Sequence, residues 1–177
     1  MKLLFKSLIF CFCLIGQVMA TPSRYTDKED GTVLDTRTGL VWQLCPAGLG
    51  SENSTTKRST CGIPTTGNTN GSPIAYNWRD ALNYCKGILP LKKPPVLPAG
   101  KFWRLPNINE LKSIVDRSQM NPAMDTSKLI GGGVDLFWSS TSVASDSTAA
   151  WTVNFFFGTS YGSSDKDFGY YVRCVSN

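Results

Sequence analysis

Three groups of side chains in this 177-residue chain have types and spacing that could do chemistry. One is a set of cysteines, Cys45, Cys61, Cys85 and Cys174, with Cys11 and Cys13 inside an apolar leader. Another is a dense run of cations, Lys92, Lys93, Lys101, Arg104, Lys112 and Arg117. The last is an aromatic, Ser/Gly-rich C-terminal stretch carrying Trp151, Phe156, Tyr161, Asp165, Asp167 and Tyr170. The chain contains no histidine, which excludes Ser-His-Asp and Cys-His nucleophilic chemistry and His-ligated zinc or copper. Asp116, Asp125 and Asp135 stand alone in loop-like sequence without a calcium or glycosidase motif and read as caps and turn formers. No catalytic residue, metal or cofactor is assigned.

The cysteines depend on the compartment. Lys2 and Lys6 precede a short apolar run, and Val18-Met19-Ala20 offers the small residues that a signal peptidase accepts before Thr21. Residues 1–20 therefore read as a signal peptide, too short in its apolar part to span a bilayer, which takes about 20 residues. Cleavage would leave residues 21–177 as a single domain with sixteen basic and thirteen acidic side chains, a net charge of +3. That excess is too mild to argue for nucleic acid, though a local basic patch could still meet an anionic polymer. Four cysteines in an exported chain read as two disulfides. Of the three connectivities, Cys45 with Cys61 and Cys85 with Cys174 are favoured, the first closing a Ser/Thr/Gly-rich loop and the second joining a helix to the last strand. A four-thiolate zinc site would need a close CxxC pair, and none is present.

Each cation has two readings. Together they could face the repeated sulfates or carboxylates of a polyanion. Taken singly, Lys92 and Lys93 could merely solubilise a proline-rich loop, Lys112 could lie on a solvated helix face, and Arg104 could be an ion-pair partner within the fold. Lys92, Lys93 and Lys101 are expected to be exposed. The tyrosines among serine and glycine near the C-terminus offer a second surface with the composition of adaptable paratopes.

These side chains need a scaffold. DGTVLDTRTGLVW at 30–42 predicts a hairpin with strands Thr32 to Leu34 and Leu40 to Trp42. Residues 46–75 read as a long loop. Asn77 caps a helix that runs through Cys85, with Trp78, Ala81, Leu82 and Cys85 on its apolar face. Residues 87–100, rich in proline, read as an exposed loop or flap. A second helix follows Pro106, with Asn107 as N-cap, Glu110 completing a capping box, and Leu111, Ile114 and Val115 as its apolar stripe. FWSST at 137–141, AWTVNFFFG and GYYVRCV predict strands. Trp151, Val153, Phe155 and Phe157 alternate in the middle one, and Gly158 with residues 160–168 forms the loop after it. The class is α+β, two helices with antiparallel strands and long disulfide-linked loops, and the terminal strands are expected to share one sheet.

The order of DGTVLDTRTGLVW, NWRDALNYC, FWRLPNINELKSIVD, FWSST, AWTVNFFFG and YYVRCV resembles the Lcl C-terminal domain family. That family is named for the Legionella collagen-like adhesin and is a bacterial branch of the C-type lectin-like fold. The resemblance covers nearly the whole mature chain, and Cys85 and Cys174 sit where lectin-like domains join the first helix to the final strand. The chain departs from the family in its proline-rich 87–100 insertion and in lacking a collagen-like repeat. The resemblance implies a binding module for sulfated polysaccharides or a protein surface ligand, and cleavage of the signal peptide implies that it is secreted, periplasmic or at the cell surface. The Glu-Pro-Asn and Gln-Pro-Asp signatures of calcium-dependent sugar sites are absent, so calcium-independent binding is expected. Two other readings stay open: a display protein diversified by a retroelement across residues 142–170, and a structural envelope protein. Enzymes of the formylglycine-generating branch need a reactive cysteine pair, whereas Cys85 and Cys174 read as structural, and no enzymatic activity is expected.

Overall fold

The computed structural model describes residues 23–49, 61, 73–88, 97–131 and 135–177. The leader at 1–20, Lys92, Lys93 and most of the expected 46–75 loop lie outside these. Local turn chemistry starts the first sheet. The Arg37 N–H donates to the Asp35 carboxylate at 3.1 Å, and Gly39, at φ +74°, donates its N–H to the Asp35 carbonyl at 2.8 Å. A left-handed φ suits glycine there. This turn joins β2 (Thr32–Asp35) to β3 (Val41–Gln43), with Val33 opposite Trp42 and both wholly buried. A strand absent from the sequence reading, β1 (Tyr25–Asp27), pairs with β2.

Both helices start where their caps predict. The Asp80 N–H donates to the Asn77 side chain at 2.9 Å and opens α1 (Trp78–Cys85). Asn107 and Glu110 exchange both bonds of a capping box at the start of α2 (Ile108–Ser113). Ala81, Tyr84 and Cys85 are buried, as are Leu111 and Ile114, while Trp78, Leu82 and Val115 are half-buried.

The second sheet is antiparallel, with order β4 (Leu136–Val143), β5 (Asp146–Asn154) and β6 (Thr159–Asp165). Neighbouring residues of β4 point to opposite faces. Phe137 packs with Val153, Leu111 and Ile114 on one side, and Trp138 with Ala150, Ala81 and Tyr84 on the other. Four expectations are corrected. Residues 160–168 are mostly strand rather than loop, because β5 supplies the pairing that serine and glycine do not favour by themselves. The Thr152 and Ser164 hydroxyls meet at 2.8 Å, and Gly162 lies under the Trp151 ring, where a Cβ would come within 2.8 Å of it. The alternation of Phe155 and Phe157 fails because β5 stops at Asn154, whose side chain accepts the Phe156 N–H at 2.8 Å and starts a turn that leaves Phe157 exposed. GYYVRCV likewise forms isolated bridges at Tyr170 and Tyr171 before a short β7 (Val175–Ser176). β7 pairs with β3, so the terminal strands do share a sheet, of order β1-β2-β3-β7. In the proline-rich segment Pro98 is buried rather than exposed, its carbonyl accepting the Trp103 indole N–H at 2.8 Å.

Covalent and ionic ties connect these layers. Cys45 is bonded to Cys61 and Cys85 to Cys174, each pair with Cα atoms 5.5 Å apart. The Arg24 guanidinium forks onto Asp35 at 2.9 and 2.6 Å and also reaches the Ser113 carbonyl at 2.7 Å, fastening the first sheet to the end of α2. Burial opposes ionisation of Asp35, but the bonds from Arg24, the Arg37 N–H and Thr38 outweigh it and hold the carboxyl below its ordinary range.

Two stability measurements follow. The disulfides span 16 and 89 residues, so loop closure assigns about 3 kcal/mol to Cys45–Cys61 and about 4 to 5 kcal/mol to Cys85–Cys174. Urea unfolding of the two double-alanine variants should rank them in that order, and a reversed ranking would remove loop closure as the cause. Asp35 has a lower pKa folded than unfolded, so its contribution is complete above about pH 4 and is lost as pH falls through the folded value. Asp35→Asn should therefore melt below the parent at neutral pH, and the gap should shrink below about pH 3. A gap that does not change with pH would contradict the pairing.

Candidate functional site

Packing of the first sheet against α2 creates a cleft of about 550 Å³ lined by Arg24, Tyr25, Arg37, Lys112, Ser113, Val115, Asp116, Arg117 and Asp125. Arg37 comes from the β2–β3 turn, Lys112 from the last turn of α2, and Arg117 from the loop after it. All three are exposed and make no ion pair among the described residues. Arg24 forms the inner wall. Its charge is spent on Asp35, whose hydrogen bond is the main reason the guanidinium pKa is raised, and its face lies 4.6 Å from the Tyr25 ring centre. Burial pushes the Tyr25 hydroxyl up to about 12, so it stays neutral and can donate.

Two carboxylates share the cleft, each tied to its own loop. Asp116 accepts from the Ser118 hydroxyl at 2.6 Å, the Ser118 N–H at 2.9 Å and the Gln119 amide at 2.9 Å, bonds that hold it below its ordinary range. Asp125 accepts from the Ser127 N–H at 3.0 Å and hydroxyl at 2.6 Å. Asp135 lies elsewhere and accepts the Leu136 N–H at 2.7 Å. All three aspartates therefore act as caps of local turns. Four cations face three carboxylates when Asp35 is counted, leaving a small positive excess concentrated on Arg37, Lys112 and Arg117. Such a site can hold sulfate, phosphate or carboxylate groups by charge-assisted hydrogen bonds. Among the described residues no group of three or more acidic or cysteine side chains is placed to hold a metal ion.

The six cations singled out from sequence do not form one patch. Lys112 and Arg117 meet in the cleft. Lys101 is half-buried rather than exposed, because its ammonium pairs with Asp30 at 3.0 Å. Arg104 is clamped by Glu110 through two bonds of 2.7 Å and by the Asn177 side chain at 2.9 Å, so it supports the capping box. Arg24 and Arg37 lie outside the dense run of cations in the sequence. Arg37 lay in a recognised turn, but its approach to α2 depends on the long-range bond from Arg24 to Ser113.

The aromatic candidates are dispersed as well. Tyr170 packs edge-on against Trp138 at 4.8 Å, Trp151 covers Gly162, Phe156 meets Phe157 at 4.5 Å, and Tyr161 is 43% exposed beside Thr159. Asp165 and Asp167 line a separate cleft of about 630 Å³ with Asn77, Trp78, Arg79 and Lys166. Lys166 is spent there on the Ser142 hydroxyl, the Ser147 carbonyl and the face of Trp78. No helix among the described residues is long and apolar enough to cross a membrane.

In comparisons with known proteins, no curated protein and no solved structure matched the chain. The family model described as the Lcl C-terminal domain matches residues 31–176, which run from the turn before β2 into β7. The cleft cations Arg37, Lys112 and Arg117 fall within that span, and Arg24 precedes it. By that match the chain belongs to the Lcl C-terminal domain family.

Proposed function

We propose that this domain is an exported, non-enzymatic adhesion module of C-type lectin-like architecture that holds sulfated or otherwise anionic polysaccharides in the Arg24/Arg37/Lys112/Arg117 cleft without calcium. The observation that carries the reading is the convergence of Arg37, from the β2–β3 turn, with Lys112 and Arg117, from the end of α2 and the loop after it, onto one opening, each free of an ion pair among the described residues. An anionic chain has charges at repeated intervals and engages several such side chains at once. A single small anion would engage one or two. The neutral Tyr25 hydroxyl behind the opening supplies a further donor.

Other features support the wider reading. Two disulfides fit an oxidising compartment outside the cytosol. The Cys85–Cys174 bond from the first helix to the C-terminal segment, and the pairing of β3 with β7, are the closures expected of a lectin-like domain. The cleft aspartates are engaged with Ser118, Gln119 and Ser127, which favours binding through cations rather than through a metal.

Binding to heparin-like polymers should weaken as salt rises and survive chelation of divalent ions, because exposed charge pairs are screened and no metal takes part. The combined variant Arg37→Ser, Lys112→Ser, Arg117→Ser should lose about tenfold or more in affinity at low salt, with an unchanged melting temperature. A parallel Lys92→Ser, Lys93→Ser variant should bind nearly as well as the parent. Full binding by the triple variant, with loss in the Lys92/Lys93 variant, would move the site to the proline-rich segment.

A further inference from the structure

Beside the cation cleft the molecule carries an apolar tip that polysaccharide binding leaves unused. Met120 and Phe157 are 67% and 58% exposed. They stand on two turns bonded to each other, with the Asn121 N–H donating to the Phe156 carbonyl at 3.1 Å and the Ala123 N–H to the Phe155 carbonyl at 2.6 Å. The Phe156 and Phe157 rings meet edge to face, with centroids 4.5 Å apart. Gly158, at φ +69°, seats the second turn so closely that a Cβ would approach the Val115 side chain to 2.8 Å and Ala123 to 3.2 Å. Val115 also lines the cleft, so the tip and the cleft share a wall. Arg117 belongs to the cleft and precedes Met120 in the same loop.

Single exposed apolar residues are ordinary, but Met120 and Phe157 stand exposed on two turns bonded to each other, beside a cleft whose lining cations outnumber its carboxylates. Aromatic side chains settle at the headgroup level of a bilayer, and neighbouring Lys and Arg add attraction to anionic lipids. A polysaccharide satisfies Lys112 and Arg117 but leaves Met120 and Phe157 in water. An anionic bilayer satisfies both. The net positive charge of the cleft, in which Asp116 and Asp125 are outnumbered by cations, and the apolar surface of the tip thus select the same partner. We propose that Met120, Phe156 and Phe157 enter the headgroup layer of an anionic lipid surface while Lys112 and Arg117 take its phosphates. The cation part of this contact rests on the reading of the cleft given above, whereas the apolar part is independent of it.

The test is co-sedimentation of the full domain with vesicles of equimolar phosphatidylcholine and phosphatidylglycerol at low salt, beside vesicles of phosphatidylcholine alone. The parent should bind the anionic vesicles and leave the neutral ones. Met120→Ser with Phe157→Ser should lower vesicle partitioning about tenfold or more, because two exposed apolar groups no longer insert, yet keep heparin binding within about twofold and an unchanged melting temperature. Lys112→Ser with Arg117→Ser should reduce both. Absence of parent binding to anionic vesicles, or equal binding by the Met120/Phe157 variant, overturns the proposal without touching polysaccharide binding. Loss of heparin binding in that variant assigns the tip to the polysaccharide site and overturns the proposal as well. So does concentration-dependent self-association that the variant abolishes, which would make the tip a contact between copies of the chain.

Discussion

The buried guanidinium of Arg173 is the constraint on which the other layers depend. It is 1% exposed, and burial pushes its pKa down to about 9, still cationic at neutral pH. Among the described residues no carboxylate pairs with it. Instead it donates to the carbonyls of Gln43 at 2.7 Å, Leu44 at 2.6 Å and Ile130 at 2.9 Å. A charge taken from water without partners is costly, so the backbone around Arg173 has to keep these carbonyls turned toward it. Those carbonyls belong to the end of β3 and to the loop before β4. The same stretch is tied twice more, by the Cys174 N–H to the Gln43 side chain at 2.7 Å and by the Gln43 N–H to the Cys174 carbonyl at 3.1 Å. One disulfide starts at Cys174 and the other at Cys45, next to Leu44. Both core clusters also meet here, with Val172 and Cys174 in one and Val175 in the other.

Around this centre the cations divide by use. Arg24, Lys101, Arg104, Lys166 and Arg173 each have a carboxylate, a carbonyl or a ring as partner, and each joins segments distant in sequence. Arg24 bridges Asp35 and Ser113, and Lys101 bridges to Asp30. A side chain so engaged loses little more freedom when a ligand arrives, but it has no charge to spare. Arg37, Lys112 and Arg117 keep theirs. The rigid ties made by the first group hold the second group in one opening.

Features set by neighbouring residues were legible in the sequence. The capping box at Asn107 and Glu110, the Asn77 cap, the turn at Asp35 and Gly39 and the α+β class all follow from short-range chemistry. Cysteine parity set the number of disulfides, and the observed pairs are the ones favoured among three connectivities for closing the Ser/Thr/Gly-rich loop and joining a helix to the last strand. What escaped depends on distant partners. β6 has the composition of a loop, and only its register with β5, with Gly162 under Trp151 and Ser164 against Thr152, makes it a strand. The phenylalanine alternation pointed past Asn154 because period-two patterning does not register a side chain that accepts the following N–H groups and stops the strand. The cation cluster was half legible. Charge density identified Lys112 and Arg117, but the loss of Lys101 to Asp30 and the arrival of Arg37 are products of tertiary packing.

The most direct measurement is a crystal structure of the domain with a short sulfated heparin oligosaccharide. The account predicts sulfate oxygens within hydrogen-bonding distance of Arg37, Lys112 and Arg117, with the Arg24–Asp35 pair intact behind them and no bound divalent ion bridging protein and sugar. An oligosaccharide seated instead on the Trp78, Asp165 and Asp167 cleft, or held through a cation at Asp116 and Asp125, would contradict it.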